Sequence, residues 1–113
     1  MLDAKERYLA KVIEHGRCTE SGDFKKGNAA YDAMAAALKE LRERADRGES
    51  PLLEFLNHPN DWVKLAASTH LLPLRPELAS EVLEKLASGP RTEARFDARI
   101  VLRQWRSGKL KVP

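Results

Sequence analysis

Apolar residues recur along this chain in steps of three and four, and glycine, proline or a run of turn formers breaks the rhythm at intervals. From Asp3 to Gly16, Tyr8, Leu9, Val12 and Ile13 stand at i, i+1, i+4 and i+5, one stripe of an amphipathic helix. Asp3 suits its N-cap and Gly16 its stop. The segment RCTESGDFKKGN, with two glycines and several turn formers, is expected to be a loop or a frayed helix start. A second helix is predicted from about Gly27 to Ala45, with Ala30, Tyr31, Met34, Ala37, Leu38, Leu41 and Ala45 on one face. The alanines between Ala29 and Ala37 allow close approach on more than one side, which a central helix needs. Arg44 and Arg47 before Gly48 suit its carboxyl end.

Ser50 followed by Pro51 is a helix start, an N-cap and then the one helical position where proline fits. The short helix bearing Leu52, Leu53 and Leu56 stops at Asn57, His58 and Pro59. Asn60 or Asp61 caps the next, whose inner stripe is Val63, Ala66, Ala67, His70 and Leu71. It ends before Pro73, since the residue preceding a proline is pushed out of helical geometry. Pro76 restarts a helix carrying Leu78, Ala79, Val82, Leu83, Leu86 and Ala87, and Ser88 to Pro90 break it. The last helix, about Thr92 to Arg106, sets Ala94, Ala98, Val101, Leu102 and Trp105 on its inner side, and Gly108 stops it. No segment sustains strand alternation, so the pattern predicts a single all-α domain, 1–113, of five to six helices.

Part of that pattern repeats. Leu53, Glu54 and Leu56 align with Leu83, Glu84 and Leu86 at an offset of 30; after the turn, Pro59, Val63, Ala67 and Leu71 align with Pro90, Ala94, Ala98 and Leu102 at 31. One inserted turn residue reconciles the offsets. Two helical hairpins stacked face to face account for the register, and so does an ordinary bundle whose helices share a period. The leucine helix, His-Pro turn and V-x-x-A-A-x-x-x-L-L run between Leu52 and Leu72 resemble the HEAT repeat and its shorter relatives. With the G-D-F-K-K-G-N segment and the closing A-R-x-V-L-x-x-W-x-x-G-K-L, the chain from Tyr8 to Leu110 resembles a small bacterial family of unknown function built on that fold. The resemblance implies a HEAT-like helical protein, and for some members an immunity protein encoded beside polymorphic toxins. It brings no catalytic residues.

The formal charge of +3 is mild because 17 acidic residues are interspersed among 20 basic ones. That balance permits an acidic partner without requiring nucleic acid. The single cysteine, Cys18, excludes an internal disulfide and reads as a structural thiol in a reducing compartment. MLDAKERYLAKVIEH lacks the apolar core of a signal peptide, and no stretch approaches a membrane span, which predicts a cytoplasmic protein without a membrane partner.

The strongest surface signal is Arg91, Arg95, Arg99 and Arg103 at steps of four, with Arg106 close to the same line. At 100° per residue the five fall within roughly 120° of arc beside the inner stripe. Guanidinium groups in a row grip carboxylates or phosphates bidentately. Three readings compete: a solvated face neutralised by acids of neighbouring helices, a site for an acidic protein partner, and a nucleic-acid track. Alternation of Glu with Lys and Arg elsewhere, as in LKELRERADR, argues against the track, as do the few aromatics. Phe96 and Ile100 lie opposite the inner stripe and form an interface patch beside the arginines unless a helix covers them. Trp105 is expected to anchor the core. Trp62, one position off its stripe, is either a lid over the hairpin or an exposed binding anchor.

Candidate chemistry is thin. His15 and Cys18, one turn apart, are a weak metal pair with no third ligand. His58 reads as a turn cap and His70 as a buried histidine. Ser68, Thr69 and His70 are consecutive on a helix, point in different directions, and make no nucleophile site. The sequence therefore predicts a non-enzymatic protein-binding module with no cofactor and no metal, the alternative being a nucleic-acid-binding helical repeat. Partner identity and oligomeric state lie beyond it.

Overall fold

The computed structural model describes residues 2–90 and 92–113, which part into two compact units between Pro51 and Leu52, Pro113 counting with the first. Among the described residues there are six α-helices and no strand: α1 Ala4–Ser21, α2 Phe24–Arg42, α3 Glu49–Phe55, α4 Asp61–Leu71, α5 Pro76–Ala87 and α6 Glu93–Arg106. The fold is all-α, and no helix of the described residues is long and apolar enough to cross a membrane.

In the first unit, α1 and α2 form an antiparallel pair. Near the connecting turn, the Cβ position of Gly27 lies 3.3 Å from that of Cys18. At the far end Arg7 bridges to Glu40 at 2.6 Å. Tyr8 and Val12 of α1 and Ala30, Met34, Ala37, Leu38 and Leu41 of α2 are buried, whereas Tyr31 and Ala45 are exposed. The segment after Gly16, expected to be a loop or a frayed helix start, is helical on both sides of a short turn, with α2 opening at Phe24. α1 runs five residues further, because Gly16 and Cys18 are buried and the packing this allows outweighs the roughly 1 kcal/mol that a mid-helix glycine costs. The connection is only Gly22 and Asp23. Gly22, with φ of 79°, closes α1, and the Asp23 carboxylate accepts from Lys26 N–H at 3.2 Å to open α2.

Burial holds the Tyr8 hydroxyl neutral, its pKa pushed far above the usual phenol value despite the opposing field of Arg42. The turn after α2 carries two left-handed residues, Arg47 and Gly48. Asp46 organises the entry to α3, its carboxylate accepting from Ser50 N–H and Gly48 N–H at 3.0 Å each. These two hydrogen bonds hold its carboxyl below the usual carboxylate range.

In the second unit, α4, α5 and α6 pack on one another. Proline opens α5, as the pattern predicts, and Thr92 caps α6 by accepting from Arg95 N–H at 3.2 Å. Asn60 caps α4, accepting from Trp62 N–H at 2.8 Å, and His58 Nδ1 accepts from Asn60 N–H at 3.0 Å, the turn role expected of it.

Within the second unit, α4 is the most enclosed helix. Trp62, Val63, Leu65, Ala67, Ser68, His70 and Leu71 are all buried, on nearly every side of it. A helix enclosed in this way has no outer stripe, so Trp62, expected off the inner face, lies inside at 9% exposure. The Ser68 hydroxyl donates to the Lys64 carbonyl at 2.6 Å, which satisfies it without solvent.

Candidate functional site

α6 presents two unlike sides. Ala94, Ala98 and Leu102 are buried and span about 80° of the helix circumference at 100° per residue. Roughly 150° away, Phe96, Arg99, Ile100 and Arg103 fall within about 100°. Phe96 is 52% exposed and Ile100 45%. The two apolar side chains stand one turn apart in a row, and the two arginines form a second row beside it. On the other flank lie Glu93 and Asp97, at the amino-terminal turns. The expected apolar patch beside arginines is therefore present, and no neighbouring helix covers it.

The arginine row divides by what each guanidinium does. Arg91 lies outside the described residues. Arg95 is half-buried and donates from Nε to the Ala87 carbonyl at 2.9 Å, satisfying the last turn of α5. Arg106 pairs with Glu84 of α5. Arg99 and Arg103 are exposed, and their guanidinium groups make no hydrogen bond or ion pair among the described residues. The solvated-face reading thus holds for one member of the row, a structural role for another, and two arginines remain open to a partner.

Those two line a shallow depression of about 610 Å³ between the end of α5 and the second half of α6, with Glu84, Leu102 and Arg106. Glu84 is the residue the sequence could not place here: it stands 22 positions from Arg106, and only packing of α5 on α6 brings the pair together. A second concavity, about 600 Å³, has a floor of Leu53, Leu56, Leu78, Val82 and Leu86. Its rim mixes Asp61 and Glu81 with Lys64 and Lys85, so it carries no preferred sign. Leu78, Val82 and Leu86 form the outer row of α5 that the amphipathic pattern assigned to the core.

Of the two places open to Trp62 the structure takes the covered one, and Trp105 sits further out than expected. Trp62 belongs to the buried set and is not displayed as a binding anchor, whereas Trp105 is half-buried at the end of α6. The inner stripe of α6 narrows toward its carboxyl end, where Val101 and Trp105 are only partly covered. No group of three or more His, Cys, Asp or Glu positioned to hold a metal occurs among the described residues.

A family model described as a domain of unknown function, DUF2019, matches residues 8–105. No curated protein matches the chain. Among solved structures, that of the protein RPA1889 from Rhodopseudomonas palustris is similar, with a TM-score of 0.88 and 24% sequence identity over 97% of this chain and 91% of the other. At that identity the likeness concerns the fold.

Proposed function

We propose that this chain, which belongs to the DUF2019 family of unknown function, is a non-enzymatic protein-interaction module that works through the outer face of α6. One observation carries the reading: Phe96 and Ile100 are exposed side by side, next to two arginines that no described residue engages. Exposed apolar groups bordered by charge mark a protein contact better than a solvated surface. The contacts of α4 with α5 and α6 support a HEAT-like stack, an architecture whose surfaces bind. In its finer form the module is a cytoplasmic immunity protein whose partner is a toxin domain, occluded sterically and by charge.

The test is co-purification from the source cell. The wild-type chain is expected to bring down a stoichiometric protein that the Phe96→Glu/Ile100→Glu double variant loses, with unchanged thermal unfolding. Retention of that protein by the double variant counts against α6. Tight binding of duplex DNA at about 50 mM salt, falling steeply as salt rises, points to the nucleic-acid alternative instead.

A further inference from the structure

We infer that the outer face of α6 receives an acidic amphipathic helix, with Arg99 and Arg103 gripping its carboxylates and Glu84 holding a third arginine, Arg106, in reserve. The inference rests on α6 being the binding face and adds the chemistry of the partner. Two parallel rows define the receptor: Phe96 and Ile100 one turn apart, and Arg99 and Arg103 one turn apart, each spanning about 6 Å along the axis. The complement is a helix with apolar residues at i and i+4 and, on one side of them, Glu or Asp at i and i+4.

Sign and order select this partner. Glu93 flanks the apolar row on the side away from the arginines, so a partner's carboxylates are favoured on the arginine flank, which sets the orientation of the docked helix. A nucleic acid fits less well, because Ile100 has no π-face for a base to stack on and two arginines make too short a track for a phosphate backbone.

Arg106 lines the same depression as Arg99 and Arg103, yet Glu84 neutralises it. Glu84 therefore competes with the partner's carboxylates for one guanidinium. Removing its charge leaves the fold intact, since the pair is exposed, and turns a two-arginine grip into a three-arginine one.

The experiment uses the full chain and a labelled helical peptide of about 16 residues with a leucine row beside a glutamate row, read by fluorescence anisotropy at about 50 mM salt. The wild-type chain is expected to bind it at micromolar concentration. Arg99→Ala and Arg103→Ala should each weaken binding about fivefold, and Glu84→Gln should strengthen it about threefold, all with unchanged thermal unfolding. A peptide with glutamine in place of glutamate that binds as tightly overturns the inference. So does weaker binding by Glu84→Gln, or duplex DNA of equal charge displacing the peptide, or no binding of the peptide at all. If the peptide fails while Ile100→Glu still loses the native partner, the acidic helix is wrong and α6 stands; if Ile100→Glu keeps that partner, both readings fall.

Discussion

At the scale of single residues, exposure in the folded state decides what a side chain contributes. Trp62 is buried, so Trp62→Ala should cost about 3–5 kcal/mol, the range for a truncated core aromatic. Trp105 is half-covered, and Trp105→Ala should cost about 1–2 kcal/mol, in proportion to the area it removes from water. Urea unfolding of the two variants ranks them directly, and equal losses would contradict the burial. Tyr8 supplies a pH-dependent case. Its neutral form is favoured in the folded chain, so the stability it adds is complete below the ordinary phenol pKa of 10.0 and is lost as pH rises beyond it, because the unfolded chain ionises first. The stability difference between Tyr8→Phe and wild type should therefore shrink above pH 10 and stay constant between pH 7 and 9.

At the scale of elements, the connections are as demanding as the helices. Between α2 and α3 the chain passes through Arg47 at φ 59° and Gly48 at φ 81°. A Cβ on Gly48 would meet the Leu41 Cβ at 3.0 Å and the Leu41 carbonyl oxygen at 3.3 Å, and Leu41 is fully buried and unable to give way. Gly48→Ala thus combines a left-handed backbone with a backbone clash and is expected to cost about 2–3 kcal/mol in chemical denaturation. The same turn has an acid limb. The Asp46 carboxyl is held low by the Ser50 and Gly48 amides, so its contribution is present at neutral pH and is lost as pH falls through its lowered folded value. Asp46→Asn should flatten the acid side of the stability profile below about pH 4 while leaving the alkaline side unchanged.

At the scale of the molecule, each compact unit has its own buried set, and the proposed binding face lies in the second. Phe96, Arg99, Ile100 and Arg103 add little to that unit's core, so charged or truncated variants at these positions should shift unfolding by no more than about 0.5 kcal/mol while weakening capture of the proposed partner. A variant that loses binding only by losing the fold would show a matching fall in its melting temperature. If two arginines and an apolar pair share the proposed contact, affinity falls modestly with salt and levels off, in contrast to the steep linear loss of a phosphate-binding surface.

The sequence by itself determined much of the element layout: the proline start of α5 at Pro76, a cap on α4 at Asn60 or Asp61, and the inner residues Ala79, Leu83, Ala94, Ala98 and Leu102 of α5 and α6. These are legible because caps, breakers and periodicity act within a few residues of chain. Tertiary structure alone decided that α4 is buried on nearly every side, that Gly16 continues a helix, that Trp62 is inside and Trp105 partly out, and that Glu84 and the Ala87 carbonyl each claim an arginine from the row. Such outcomes depend on what packs against a residue from distant parts of the chain, and helical periodicity records which side a residue faces without recording what meets it there.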